Sequence, residues 1–248
     1  MIKKNFYKNK IILVTGATGS IGKSLIIKLL KKNCKTIRAL SNDENGLFNL
    51  KGIIEKHNLN LKKVRFLYGD IREYERCVLA TKDVDIVIHA AALKHVEICN
   101  YNPNEAIKTN IYGTQNIVNA SIENKVKNFM HISTDKAAMA TTTMGQTKSL
   151  AEKLIINSGI NTGYIPIKFS AVRFGNILAS RGSVIEKFIY QIKNKMSLTV
   201  TDKNMIRYFM TINVATEMIL NAISIAKGSE VFIFKNIGKF KIIDLANA

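Results

Sequence analysis

Short apolar runs alternate along this chain with longer segments whose apolar positions recur every three or four residues. The runs "IILVT" (11–15), "TIRAL" (36–40), "VRFLY" (64–68), "VDIVIHA" (84–90) and "KNFMHIS" (127–133) have the length and composition of strands. Between them, "SIGKSLIIKLLKK" and "NEAIKTNIYGTQNIVNASIEN" carry the spacing of amphipathic helices. Strands separated by helices imply right-handed crossovers and a parallel sheet covered on both faces, an α/β doubly wound architecture. Beyond residue 160 the pattern continues with "IPIKFSAVRF", a helix near 183–194, a short "SLTV" strand, a helix near 213–226 and "EVFIF". The final "IDLANA" reads as the opening of one more helix, an unusual place for a domain to end. No repeat, low-complexity tract or linker interrupts the alternation.

The first strand runs directly into "VTGATGSIGKS", which places Gly16, Gly19 and Gly22 at a strand–turn–helix junction. The first glycine permits the tight turn, the second the close approach of a pyrophosphate, and the third the packing of helix on strand. Thr18, Ser20 and Ile21 share that turn, and the helix start offers backbone N–H groups to phosphate. A glycine turn made for packing alone is the competing reading. The second strand ends "RALSND": Ser41 and Asn42 take the position where an acid would select NAD, and Asp43 comes late. With Arg38 nearby, NADP is the expected cofactor and NAD the alternative. Asp70 and Ile71 follow the third strand, where they would hold the adenine; a loop-forming Gly-Asp turn explains the aspartate equally well.

Composition narrows the class. The 248 residues are 47% hydrophobic and 22% charged, as in a globular protein able to bury a sizeable core. No apolar run approaches the roughly 20 residues of a membrane span. The start "MIKKNFYKNK" lacks the apolar stretch of a signal peptide, so a cytoplasmic address is expected. The 3 cysteines (Cys34, Cys77, Cys99) and 4 histidines are scattered without metal-ligand spacing, which predicts buried free thiols and no metal. A net charge of +19 would suit nucleic acid, but the lysines are spread along the chain and no nucleic-acid-binding signature occurs. The same positive field suits a dinucleotide and a nucleotide sugar.

Further motifs fall in a specific order: "HAAALKHV" (89–96), "KTNIYGTQN" (108–116), "STDKAA" (133–138), "RFGN" (173–176), "SRGSVI" (180–185), and "TD" (201–202) followed by "MIRYFM" (205–210). Together they resemble the UDP-N-acetylglucosamine 4,6-dehydratases of capsule and glycan synthesis, within the extended short-chain dehydrogenase/reductase superfamily. The resemblance runs from Ile11 to the last residue. It implies a Rossmann unit of residues 1–172 with 212–236, and a partial substrate lobe of 173–211 with 237–248. It also implies redox-neutral chemistry: hydride leaves sugar C-4, water is eliminated across C-5 and C-6, and the hydride returns to C-6. By the family pattern Asp135 is the acid at the C-6 hydroxyl and Lys136 the base at C-5, with pKa values shifted by proximity. A surface ion pair is the plainer explanation of an Asp-Lys dipeptide.

Superfamily members usually carry a tyrosine four residues before the lysine of "MGQTK"; here the position is Met144, ahead of Lys148. A thioether cannot take a proton from a hydroxyl. Part of the dehydratase family is similar in having methionine there, which implies that Thr134 and Asp135 handle the C-4 proton. Lys148 would then bind the nicotinamide ribose and favour hydride acceptance by its charge; core packing of Met144 and an exposed helical lysine are the alternatives. The resemblance further implies small Ala90, Ala91 and Ala92 beside the cofactor, and Lys94 near nicotinamide or phosphates. Asn110 would belong to the cofactor-binding set and anchor an active-site water or helix backbone. Met144, Asn176, Arg181, Thr201 and Arg207 would line the UDP-sugar site, the arginines matching phosphate geometry.

Several positions depart from that pattern. Glu97 and Asn100 replace a Pro and a Glu, Met139-Ala140 replaces a residue-proline pair, and Ile206 replaces a threonine. Family members also continue for roughly another hundred residues, so a truncated, naturally short or split chain is expected. A homodimer or larger homo-oligomer is implied by the resemblance alone. Two rival functions stay open: a UDP-sugar 4-epimerase or ketoreductase, and a non-catalytic NADP-binding relative.

Overall fold

The computed structural model describes residues 5–161, 163, 166–178, 182–234 and 238–247. In chain order the strands are β1 (Ile11–Thr15), β2 (Thr36–Ser41), β3 (Val64–Tyr68), β4 (Ile86–His89), β5 (Asn128–Ile132), β6 (Lys168–Arg173), β7 (Asn176–Ile177), β8 (Ile206–Met210), β9 (Glu230–Ile233) and β10 (Gly238–Lys241). The helices are α1 (Ser20–Leu30), α2 (Glu44–Lys56), α3 (Tyr74–Thr81), α4 (Val96–Tyr101), α5 (Pro103–Ile107), α6 (Gly113–Glu123), α7 (Thr143–Asn161), α8 (Val184–Lys193), α9 (Ile212–Ile225) and α10 (Ile242–Asn247).

Seven strands form one sheet in the order β3-β2-β1-β4-β5-β6-β9, every neighbouring pair parallel. The near-continuous apolar strands follow from burial on both faces. Ile12, Val14, Ile86 and Ile88 pack under α1 and α9, while Leu13, Val87, Phe129 and Phe169 pack under α6 and α7. A small sheet, β10-β8-β7, stands beside the carboxyl end of β6. All three cysteines are buried and free. The final residues do begin a helix, α10.

The strand expected at "SLTV" does not form. Leu198 and Val200 pack against the cluster of Phe188, Phe209 and Ile242. The Thr199 backbone N–H donates to the Gln191 carbonyl oxygen (3.3 Å), and the Gln191 amide donates to the Thr199 hydroxyl (3.1 Å). A helix side chain has taken the bonds that a neighbouring strand would supply.

The last rung of the large sheet is polar. Thr15 of β1 pairs with His89 of β4, and His89 with His131 of β5. Both histidines are buried. Donor bookkeeping fixes the protons on His89. The Thr114 hydroxyl donates to the Asn110 carbonyl (2.7 Å), so it accepts from His89 Nε2–H (3.0 Å). His89 Nδ1 therefore accepts from the Thr15 hydroxyl (2.7 Å), whose oxygen accepts the Ala91 N–H (3.2 Å). One neutral imidazole thus ties the loop after β4 to a π-helical turn, Lys108–Tyr112, inserted between α5 and α6. Such turns often occur where a side chain must be aimed at a site.

Burial pushes the His89 pKa down to about 3 from 6.5. The unfolded chain therefore takes up this proton first, and stability is lost as pH falls from about 6.5 toward about 3. His131 contributes in the same direction. Urea unfolding of wild type and His89→Gln between about pH 7 and pH 4 should show a variant less stable at neutral pH but with a shallower slope, by about 1.4 kcal/mol per pH unit. Parallel profiles would contradict a neutral, buried His89.

Candidate active site

A cleft of about 790 Å³ runs along the carboxyl ends of β1 to β6, where ligands bind in open parallel sheets. Its first wall is the turn after β1. Gly16 has φ +62°, and a Cβ there would lie 2.7 Å from Ala91 N and 2.8 Å from the Ala90 carbonyl. A Cβ on Gly22 would collide with the Gly16 carbonyl. Only glycine allows the turn, the β4 loop and α1 to close on one another. No side chain caps the start of α1 and no acid occupies its first turn, so the dipole end is left to an anionic ligand. Thr18, Gly19, Ser20 and Ile21 line this part of the cleft.

The next wall comes from β2 and β3. Ser41 Oγ lies 2.9 Å from Thr18 Oγ1 and accepts the Asp43 N–H (3.2 Å), while Asp43 caps α2 through the Gly46 N–H (2.8 Å). Asn42 donates to Asp70 (3.0 Å), and Arg72 donates to Asp70 through Nε (3.0 Å) and Nη2 (2.8 Å). Hydrogen bonds and the guanidinium charge outweigh desolvation and hold the Asp70 carboxyl below its usual range. Ile71 closes the floor of this subsite. Arg38 does not reach it. Its guanidinium donates to the carbonyls of Leu79 and Ala80 at the end of α3, because a mid-strand residue projects from the sheet face and not from its end. The support that Arg38 lent to NADP is withdrawn.

Ala90, Ala91, Ala92 and Lys94 line the cleft after β4, and Thr134 and Lys136 after β5. Asp135 stands with them. It accepts from the Thr134 hydroxyl (2.9 Å) and from Lys136 Nζ (3.2 Å), and Lys136 Nζ also donates to Asn176 Oδ1 (3.1 Å). The Asp135 N–H is held by the Phe174 carbonyl (3.1 Å), which locks the dipeptide to the end of β6. Lys136 lines the cleft, and Asp135 is tied to it and to Thr134 just behind that wall.

Met144 is buried among Cys99, Ala106, Leu93 and Val96, so the core-packing reading of it holds, and it also borders the cleft. Lys148, one turn along α7, is also buried, contrary to the reading of an exposed helical lysine. Its ammonium donates to the Ile132 carbonyl (2.5 Å) and to His131 Nε2 (3.1 Å). Burial pulls its pKa down to about 8, with the Glu152 carboxylate opposing the fall. Glu152 is itself fixed by Arg173 through bonds of 2.6–2.9 Å.

Asn110 does not line the cleft. It is buried, exchanges bonds with both backbone groups of Leu93 (2.8 and 3.0 Å) and donates to Thr147 (3.0 Å). Its expected cofactor contact gives way to a positioning role, with every polar atom committed. Asn176 belongs to the main cleft and to an adjoining hollow of about 330 Å³, which Lys187, Thr201, Arg207 and Ser183 also line. Arg181 lies outside the described residues. Sequence reading missed His95, whose ring packs against Gly182, and Arg72 with its partner Glu105 on the cleft wall (3.0 Å). It also missed both buried histidines; the only trace was a histidine two residues before "STDK".

Several known proteins resemble this chain in sequence and fold. The UDP-N-acetylglucosamine 4,6-dehydratase (inverting) of Campylobacter jejuni is 39% identical over 245 residues, covering 98% of this chain and 71% of the relative. A UDP-glucose 4-epimerase of Rickettsia bellii is 39% identical over 234 residues, covering 93% and 67%. Among solved structures, Pen from Bacillus thuringiensis superposes with a TM-score of 0.93 at 42% identity, covering 98% of this chain and 74% of that one. A dTDP-glucose 4,6-dehydratase from Streptomyces venezuelae, solved with NAD bound, shares the fold at 17% identity and a TM-score of 0.86, covering 95% and 79%. The profile of one family matches residues 12–248, and this chain belongs to that family, described as polysaccharide biosynthesis protein.

Proposed function

We propose that this chain is a nucleotide-sugar 4,6-dehydratase that converts UDP-N-acetylglucosamine, or a close UDP-hexosamine, to its 4-keto-6-deoxy derivative. The observation that carries the reading is the Thr134–Asp135–Lys136 cluster, in which Thr134 and Lys136 line the cleft and the Asp135 carboxylate joins them by bonds of 2.9 and 3.2 Å. An epimerase needs to move hydride at one carbon only, whereas elimination of water needs an acid and a base side by side.

The glycine turn and the uncapped start of α1 fit the pyrophosphate of a nicotinamide dinucleotide. When bound there, that group would supply the acceptor of the C-4 hydride and its donor back to C-6. The protein moves the protons. Thr134 Oγ accepts the C-4 hydroxyl proton while passing its own to Asp135. Asp135 gives that proton to the departing C-6 hydroxyl, which leaves as water. Lys136 releases its ion-pair proton to solvent and, as the free amine, takes the C-5 proton, which the 4-ketone has acidified; a proton is restored to C-5 after hydride reaches C-6. Lys148 holds positive charge and an N–H toward the ribose. Asn176, Thr201 and Arg207 take the diphosphate and nucleoside end. In this reading residues 1–172 with 212–236 bind the dinucleotide, and 173–211 with 237–248 bind the sugar nucleotide.

NADP and NAD compete for the cofactor site. With Arg38 turned away, the guanidinium lining that end of the cleft is Arg72, already paired with Asp70 and Glu105. Calorimetric titration of both dinucleotides decides between them. Affinity for either should fall as pH rises through about 8, where Lys148 loses its proton, and a Lys148→Arg variant should lose that dependence; a pH-independent affinity in the wild type removes Lys148 from the cofactor site.

The reaction itself is read by proton NMR of UDP-N-acetylglucosamine with the protein in D2O, without reductant. A new C-6 methyl signal beside a 4-keto or hydrated product is the expected outcome. A UDP-N-acetylgalactosamine spectrum with no methyl signal would favour the epimerase. Asp135→Asn and Lys136→Met should each lower the rate about a hundredfold or more while dinucleotide affinity stays within about threefold. Full activity in either variant would remove that residue from the chemistry.

A further inference from the structure

His131 is unexplained by the chemistry above. It is a buried residue of a central strand, does not line the cleft, and faces α7 on the same side of the sheet as Phe129. Its Nδ1 is buried with no hydrogen-bond partner among the described residues. A buried polar atom left in that state is costly, and an apolar residue would fill the position without the cost. The other nitrogen, Nε2, lies 3.1 Å from Lys148 Nζ. A lysine ammonium has donors only. The contact therefore requires an unprotonated Nε2, which leaves the proton of the neutral ring on Nδ1, the atom without a partner.

We propose that His131 is the positioning residue of Lys148: its neutral ring accepts one N–H of the ammonium, the Ile132 carbonyl accepts a second, and together they aim the third into the cleft. Two acceptors on one strand, set at adjacent residues, fix both the place and the rotation of a long flexible side chain. Lys148 would otherwise be free to follow the Glu152 carboxylate, one turn away on α7; that charge is held by Arg173 from β6. The groups facing the ammonium are thus His131 from β5, His89 behind it from β4 (rings 5.3 Å apart) and Glu152 from α7 with Arg173, while Lys94 and Lys136 line the same cleft. A second cation beside them would repel Lys148, so His131 must stay neutral, and burial lowers its pKa far enough to keep it so. The use of the third N–H rests on the dinucleotide reading; the contact between His131 and Lys148 does not.

The contact is tested in the intact chain without ligand, by long-range nitrogen–proton correlation of the 15N-labelled imidazoles. The expected pattern for His131 is a proton on Nδ1 and an accepting Nε2, unchanged from about pH 8 to pH 6. A proton on Nε2, or a doubly protonated ring, overturns the proposal whether or not the protein is active. Dinucleotide titration then tests the consequence. His131→Phe, which keeps the bulk without the acceptor, should weaken binding about tenfold, as for loss of a charge-assisted hydrogen bond. His131→Gln, whose amide oxygen can occupy the Nε2 position, should recover to within about threefold of wild type. Equal loss in both variants would mean that the ring serves packing alone and would overturn the positioning role. The expected tautomer in a protein that binds no dinucleotide would sink the cofactor reading and leave the contact standing.

Discussion

A rung of polar side chains closes the carboxyl end of the sheet, and much of the cleft is arranged around it. Thr15, His89 and His131 lie in register on three adjacent parallel strands, all beneath α6 and α7. Burying two imidazoles and a hydroxyl in an apolar sheet is unfavourable unless their polar atoms find partners, and among the described residues all of them but His131 Nδ1 do. The partners are the parts of the site: the Ala91 N–H, the Thr114 hydroxyl with the Asn110 carbonyl, and the Lys148 ammonium. Satisfying the rung and positioning the cleft are one requirement.

The rung also explains two local irregularities beside the cleft. The π-helical turn at Lys108–Tyr112 brings Asn110 inward, where it grips both backbone groups of Leu93 and thus the loop after β4. The positive φ of Gly16 lets the first turn lie against Ala90 and Ala91 with no side chain between them. The loop after β4 is held from below by Thr15, from one side by Asn110 and from above by the glycine turn. Preorganisation of this kind places donors before a ligand arrives.

Replacement of the usual tyrosine by Met144 becomes intelligible in this setting. The thioether completes an apolar patch with Cys99, Ala106, Leu93 and Val96, while Lys148 keeps its place through β5. The lysine depends on strand residues, not on its neighbour along the helix. The proposed reaction leaves proton chemistry to Thr134, Asp135 and Lys136, which Phe174 after β6 and Asn176 of β7 secure.

The alternation of apolar runs with helical periodicity was enough to specify the parallel sheet, and the glycine spacing enough to specify the turn after β1, because both depend on neighbours within a few residues. "STDK" and "MGQTK", singled out by the family resemblance, both contribute residues that line the cleft. Direction and partnership were decided only by the tertiary structure. Arg38 looked available for a phosphate, yet its mid-strand position sends it to the end of α3. Asn110 looked like a ligand contact, yet all its polar atoms are used on Leu93 and Thr147. "SLTV" looked like a strand until Gln191 supplied its bonds. His89 and His131 carried no signal of their own, since a histidine's role depends on what strand register sets against it: Thr15 lies 74 positions before His89, and Lys148 lies 17 after His131. Sequence patterns encode which residues share an element, while the pairing of polar atoms across elements exists only once the chain has folded.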